Sequence, residues 1–191
     1  MAIQDNEKFL LTAVNILLQT INEQSLVDDA DLNVSLEGRE AVKVLDEVRT
    51  AVLSSGWHFN TDFGYQFAPT LDGFISVPYN VLDITSDTGN IVMREWNLYD
   101  KDKHTRKFDE PVKCNVVWNF EFNDLTHPIR HYITIRAARV YQGRMIGDKT
   151  QYAFSKEDEA LAKMEAKESE GRTGKYNMLT STFGINSLNR G

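Results

Sequence analysis

The chain has 191 residues, of which 41% are hydrophobic and 26% charged; this is the composition of an ordinary folded protein and excludes wholesale disorder. A net charge of −7 and a single cysteine exclude a protein that coats nucleic acid with positive charge, an internal disulfide and every multi-cysteine metal site. The apolar runs are far shorter than the ~20 residues that cross a bilayer, and no basic segment precedes an apolar stretch at the start, so we expect neither a membrane span nor a secretory signal.

Two amphipathic helices are predicted first in the chain, over residues 5–22 and 37–55. Asp5 is a suitable N-cap for the first helix, and Gly56 is a natural stop after the second. Apolar residues recur in both at spacings of three and four: Phe9, Leu10, Ala13, Val14, Leu17, Leu18 and Ile21, then Ala41, Val44, Leu45, Val48 and Val52. The two helices should therefore pack against each other and against a third element.

A β region is predicted over residues 57–123, where the hydrophobic period falls toward two. Turn signals occur at Asp72-Gly73, at Asp87-Thr88-Gly89-Asn90 and around Asp100. The strongest strand signal covers 113–122, with Cys114, Val116, Trp118, Phe120 and Phe122 on one face. Tyr65-Gln66-Phe67 and Phe74–Val77 flank the Asp-Gly turn and predict a hairpin with open edges.

Two further helices are predicted over residues 127–145 and 155–170. Thr126 is a plausible N-cap for the first, with Pro128 in its first turn, and its apolar residues are spread almost all round, so it should be buried on several sides. The second begins with the capping-box pattern Ser155-Lys156-Glu157-Asp158 and ends near Gly171. Residues 172–191 are polar and glycine-punctuated, and we expect an extended tail that docks on a partner.

No catalytic or metal constellation is convincing in the sequence. His127 and His131 have the i, i+4 spacing of metal ligands, but Pro128 stands where a metalloprotease has its glutamate and Arg130 would repel a cation. A hairpin turn explains the protease-like tripeptide Asp87-Thr88-Gly89 better than a catalytic dyad does. Cys114 is expected to be a small core residue. We therefore expect no catalytic residue, no metal and no cofactor.

The predicted fold is α+β, a helical bundle of two N-terminal and two C-terminal helices with an inserted antiparallel β region and an extended C-terminal tail. We expect one domain over 1–171 and the tail over 172–191. By physics alone this is a non-enzymatic binding protein with open strand edges and a docking tail.

Several segments, in the same order along almost the whole chain, resemble the tail tubular protein A family, the head-to-tail adaptors of short-tailed bacteriophages. The two most specific are the Gly-Trp-x-Phe-Asn segment, with Gly56, Trp57, Phe59 and Asn60, and the segment Tyr176-Asn177-Met178-Leu179. Three further segments carry the resemblance: Ala13-Val14-Asn15 with Leu17 or Leu18 and Ile21; Leu98-Tyr99-Asp100 with Thr105 and Phe108; and Tyr132-Ile133 through Ala137-Ala138-Arg139 to Gln142.

The resemblance implies a structural virion protein at the head–tail junction, made in the host cytoplasm. It implies a homododecameric ring between the portal protein and a tail nozzle of the tail tubular protein B type, forming part of the DNA ejection channel. The tail would bind the portal through Tyr176, Asn177, Met178, Leu179 and Phe183. Family-motif positions are Gly56, Trp57, Phe59, Asn60, Tyr99 and Asp100.

The distribution of charge leads to one expectation about the channel. Residues 126–150 carry five basic and one acidic side chain and residues 155–191 carry six of each, so the first 125 residues hold a net charge of −11. Because acidic side chains keep contact with phosphates weak, we expect a bore lined mainly by acidic or neutral groups that passes genomic DNA without specific binding.

Two alternatives to the adaptor remain open. One is a tail-associated hydrolase acting on cell-surface glycans, although none of the acid pairs in the sequence stands out as its catalytic pair. The other is a different oligomeric binding module that shares only short sequence segments with the family.

Overall fold

The computed structural model describes residues 7–146 and 154–180, with side chains for 9–146 and 154–172. It confirms the predicted α+β class. The β unit comprises Leu53–Phe120, and the helical unit comprises the described residues before and after it, so the chain leaves the helical unit once and returns. The division into one domain over 1–171 and a tail over 172–191 stays a prediction.

Four α-helices make up most of the described helical unit. They are α1 (Glu7–Gln19), α2 (Leu36–Leu53), α3 (His127–Met145) and α4 (Lys156–Thr180), with short 3-10 helices at Asp29–Asn33 and Phe122–Asp124. Helix α3 has the predicted bounds. Helix α1 ends earlier than predicted, because Asn22 takes a φ of 60° that no α-helix continues through. Asp5, its predicted N-cap, lies outside the described residues.

Helix α3 is buried on nearly all sides, as predicted, and it ties the first two helices together. The Gln142 side chain donates to the carbonyl oxygen of Thr20 at 3.0 Å, just past the end of α1. The Tyr141 hydroxyl donates to the carbonyl oxygen of Glu37 at 3.1 Å, in the first turn of α2. Its buried residues are Ile129, Tyr132, Ile133, Thr134, Ile135, Ala137, Ala138, Tyr141 and Gln142.

Helix α4 begins as predicted but ends later. The Ser155 amide donates to the Asp158 carboxylate at 2.8 Å and the Asp158 amide donates to the Ser155 hydroxyl at 3.1 Å, which is the expected capping box. The predicted end near Gly171 is wrong, since the helix continues to Thr180. Gly171 does not take the positive φ that ends a helix, and the Glu168–Arg172 pair at 3.8 Å spans it within the helical turn.

The β unit contains five strands in two small antiparallel sheets. The strands are β1 (Thr61–Phe67), β2 (Val81–Thr85), β3 (Ile91–Arg94), β4 (Asn97–Asp100) and β5 (Val112–Trp118). One sheet has the order β1-β5-β2, and β3 pairs with β4. Residues from both sheets and from the connection between β1 and β2 share one core: Phe67, Ile75, Val77, Val81, Ile84, Ile91, Leu98, Cys114 and Val116. The strong strand predicted over 113–122 is therefore central, although it ends at Trp118.

The hairpin predicted around Asp72-Gly73 is wrong in its pairing. A tight turn does form there, with Gly73 donating to the Thr70 carbonyl oxygen at 2.9 Å. However, Phe67 pairs with Val112 of β5, and Phe74 forms an isolated bridge with Lys107. Strand β5 is the longer partner and offers a continuous buried face, which the short segment after the turn does not.

The turn between β3 and β4 was not predicted. Glu95 and Trp96 occupy its two central positions with φ of 51° and 58°, a conformation in which Asn-Gly is the usual pair. Three contacts hold the turn. The Val77 amide donates to the Trp96 carbonyl oxygen at 2.8 Å, and the Asn97 side chain donates to the backbone carbonyl oxygen of Glu95 at 3.0 Å. The Arg106 guanidinium pairs with the Glu95 carboxylate at 2.9 Å. Neighbouring contacts therefore hold a backbone that its own residues do not favour.

Candidate functional site

The Gly-Trp-x-Phe-Asn segment forms a buried structural junction. Gly56 takes a φ of 68° and Asn60 is fully buried. The Asn60 amide group donates to the carbonyl oxygens of Leu53 at 3.1 Å and Trp118 at 2.8 Å, and its oxygen accepts from the Trp57 backbone at 2.7 Å. Phe59 stacks with Phe120 at 6.3 Å. These motif residues satisfy backbone groups rather than offering a reactive group to solvent.

The Tyr99-Asp100 segment organises the loop that follows β4. The buried Asp100 carboxylate accepts hydrogen bonds from the backbone amides of Asp102 at 2.9 Å and Lys103 at 3.0 Å. Its backbone also pairs with Thr105, and the Arg94 guanidinium lies 4.0 Å from the centre of the Tyr99 ring. The turn predicted around Asp100 is therefore confirmed, and the aspartate is used to shape it.

The predicted portal anchor falls at the end of α4. The backbone of residues 176–179, with Tyr176, Asn177, Met178 and Leu179, is helical, where we expected an extended tail. Phe183 lies outside the described residues. What positions this segment is the packing of α4 on α3: Ala162 and Ala166 are buried, and the Glu159 carboxylate pairs with Arg139 at 2.7 Å and Arg136 at 3.8 Å. The anchor stays a prediction.

The groups that could carry chemistry have other roles in the fold. Asp87-Thr88-Gly89 is a turn, with Gly89 at a φ of 68° and its amide 2.9 Å from the Ser86 carbonyl oxygen. Cys114 lies in the core as predicted, where burial, helped by the charge of Asp87, raises the pKa of its thiol. Within the described residues no three His, Cys, Asp or Glu side chains converge as a metal site needs. None of the helices described there is both long and apolar enough to cross a bilayer.

A groove lies between α1 and the start of α3. The sequence did not predict it, because the residues that line it come from segments far apart in the chain. Phe9, Ile16 and Phe122 supply an apolar lining, and His127, Arg130 and His131 line it as well. The two histidine rings stack with centres 6.4 Å apart, and the Arg130 guanidinium lies 3.9 Å from the centre of the Phe9 ring. The groove is therefore apolar with a basic side.

Hydrogen bonds fix the direction of Arg130 within this groove. Its guanidinium donates to the carbonyl oxygens of Asn123, at 3.2 Å, and of Leu125. Burial lowers the pKa of Arg130 from the usual value of 12.5. A guanidinium held in this way is suited to meeting an acidic or apolar group of another molecule.

Two further apolar features face solvent. Leu161 and Met164 on α4 are 54% and 59% exposed, on the side of the helix away from Ala162 and Ala166. Trp96 is 52% exposed at the tip of the β3–β4 hairpin. Spacing in the sequence could have revealed the α4 pair, whereas no signal marks the hairpin tip. Exposed aromatic and long apolar side chains of this kind are typical of protein-binding surfaces.

The chain is similar over most of its length to known proteins. Residues 11–176 match the family of tail tubular proteins. The chain is 33% identical over 162 residues to tail tubular protein A of Klebsiella phage KP34, a match that covers 83% of this chain and 85% of the relative. The matched range includes the β unit and helix α4 as far as Tyr176.

Proposed function

Because this chain belongs to the tail tubular protein family and is a structural protein of a phage tail, we propose that it is the adaptor between head and tail. In this role copies of the chain form a dodecameric ring at the head–tail junction of the virion, between the portal protein and the tail nozzle. The observation that carries the proposal is the extent of the family match, which spans both units and reaches the proposed anchor in α4.

The arrangement of the C-terminal helix supports a portal contact. Helix α4 is held on α3 by buried alanines and by the ion pairs of Glu159, so its last residues extend from a fixed base. The proposed portal anchor comprises Tyr176, Asn177, Met178, Leu179 and Phe183. An apolar segment that cannot build a core of its own gains burial when a partner supplies the matching surface.

The β unit offers a separate surface for the nozzle. Strand β1 is an edge of its sheet and is exposed along most of its length, with Phe63 73% exposed. Trp96 projects from a hairpin tip that neighbouring contacts hold in place. Rigid aromatic anchors and open strand edges are features that partner proteins bind.

The channel function follows from the ring. Genomic DNA would pass through it without specific binding, in keeping with a net charge of −7. Synthesis in the host cytoplasm and assembly into the virion complete the proposal. In this proposal the exposed apolar surfaces bind partners, and the adaptor acts by assembly.

The test is the mass of the purified chain alone and after mixing with the portal of the same phage. The full-length chain should assemble on the portal toward twelve copies. A chain ending at Thr180 tests residues 181–191, and the triple variant Tyr176→Ala, Met178→Ala, Leu179→Ala tests the anchor while keeping the helix. Both should lose portal binding.

The matched control removes exposed apolar side chains elsewhere, with Val27→Ala and Val34→Ala, and should assemble normally. A full-length chain that ignores the portal contradicts the adaptor proposal. Normal assembly of the triple variant contradicts the placement of the anchor in α4.

A further inference from the structure

We propose that the exposed face of α4 in one copy seats in the groove between α1 and α3 of the next copy. This inference rests on the proposed ring and names the contact that would build it. It joins two surfaces of the helical unit that are both apolar and are complementary in charge: Leu161, Met164, Glu165 and Glu168 on α4, and the groove of Phe9, Ile16, Phe122, His127, Arg130 and His131.

The α4 face is apolar and acidic. Leu161 and Met164 are three residues apart. Glu165 lies four residues after Leu161, and Glu168 lies four residues after Met164. All four side chains therefore lie on one side of the helix. All four are exposed. Glu168 also lies 3.8 Å from Arg172, but an exposed pair of this kind contributes little. A partner for this face must be apolar and basic.

The groove has the opposite character. It encloses about 130 Å³, comparable to the ~150 Å³ cavities that take up a benzene molecule, so it has room for one or two apolar side chains. Its basic side is preorganised, because Arg130 is held by two carbonyl oxygens and by the Phe9 ring. His127 and His131 are exposed beside it. Carboxylates such as Glu165 and Glu168 would meet these donors directly.

The contact must join two molecules. Helix α4 packs on α3 of its own chain through Ala162 and Ala166, which turns Leu161 and Met164 away from that helix. The two complementary surfaces are also different from each other. A contact between unlike surfaces is heterologous, and repeating it generates a closed ring when the rotation per copy divides a full turn. This is the kind of contact that the proposed adaptor requires.

The first experiment changes the charge on each side, in the full-length chain assembled on the portal. Glu165→Lys with Glu168→Lys, and separately His127→Glu with His131→Glu, should each lose the ring, as measured by mass. All four substitutions in one chain restore opposite charges at every contact and should regain the ring. Asp109→Lys with Glu110→Lys is the matched control, because both residues are exposed and lie in the β unit.

Thermal unfolding of every variant confirms that the chain still folds. If single-sided variants assemble normally, or the fourfold variant fails to regain the ring although it folds, the inference is overturned while the adaptor proposal stands. If the unchanged chain ignores the portal, the adaptor proposal fails instead.

A second experiment needs no portal and tests the contact itself. Two variants are mixed at high concentration under oxidising conditions: one carries Phe9→Cys and the other Leu161→Cys. A mixed disulfide between them supports the inference. Val27→Cys replaces Leu161→Cys as the control, since Val27 is exposed and outside both surfaces. Absence of the mixed disulfide, both alone and with portal present, overturns the inference.

Discussion

The Asn60 side chain donates a 2.8 Å hydrogen bond to the carbonyl oxygen of Trp118, across 58 residues of sequence. With its second donor bond to Leu53 and its acceptor bond from the Trp57 backbone, this one amide joins the end of α2, the family motif and the end of β5. The most recognisable segment of the sequence is therefore a structural junction, and this explains why Asn rather than Asp or Ser stands there.

Replacing Asn60 with Asp should destabilise the chain strongly. Asp keeps the shape but loses both donors and places a negative charge against two carbonyl oxygens, so we expect a loss of about 3 kcal/mol or more in the free energy of unfolding. Urea unfolding measures it. Asn33→Asp makes the same change at an exposed position and should leave stability nearly unchanged. Equal stability of the two variants would contradict the role of Asn60.

Replacing Ala166 with Leu should separate α4 from α3. Ala166 is fully buried, so a larger side chain forces the helices apart at a cost of ~1–3 kcal/mol. We expect a lower melting temperature. We also expect weaker binding in the portal assay, because the proposed anchor is at the end of α4 and is no longer held in place by packing on α3. Ala160→Leu is the control, since Ala160 is exposed on the same helix. If the two variants have the same melting temperature, the contact of Ala166 does not hold α4 on α3.

Stability at high pH should depend on Tyr141. Burial, together with the charges of Glu37, Glu23 and Glu40, raises the pKa of its hydroxyl from 10.0 to about 12. The unfolded chain therefore ionises this group before the folded chain does. The stability that the neutral phenol contributes is complete below pH 10 and is lost as pH rises toward 12.

The measurement is urea unfolding across this range of pH. The free energy of unfolding of the unchanged chain should fall more steeply with pH than that of Tyr141→Phe, which has no proton to lose. Tyr79→Phe is the control, because Tyr79 is exposed, and it should follow the unchanged chain. Parallel curves for all three would contradict the shifted pKa.

Replacing Trp96 with Gly should separate stability from partner binding. Glycine adopts the positive φ of this position without strain, so the melting temperature should stay level or rise, by the equivalent of ~1 kcal/mol at most. Binding to the tail nozzle should weaken at least tenfold if the exposed ring is an anchor. Val27→Ala is the control in both measurements. Unchanged nozzle binding would remove Trp96 from the proposed interface.

The sequence by itself determined the α+β class, the order of the elements and the family. These depend on short-range hydrophobic periodicity, on helix caps and on short sequence motifs. Pro128 in the first turn marked the start of α3, and apolar residues spread almost all round the helix indicated its many-sided burial. The Ser155–Asp158 capping box marked the start of α4. These signals lie within one or two turns of chain, so no knowledge of distant residues is needed to detect them.

Only the tertiary structure decided the pairing of strands and the surfaces available to partners. Phe67 pairs with Val112 rather than with the segment after the Asp-Gly turn, because the buried face of a distant strand outweighs a local turn signal. The groove beside Arg130 likewise needs Phe9 and His127 to meet across more than a hundred residues. Packing between distant segments creates such surfaces, and local hydrophobic periodicity does not predict which distant segments will be in contact.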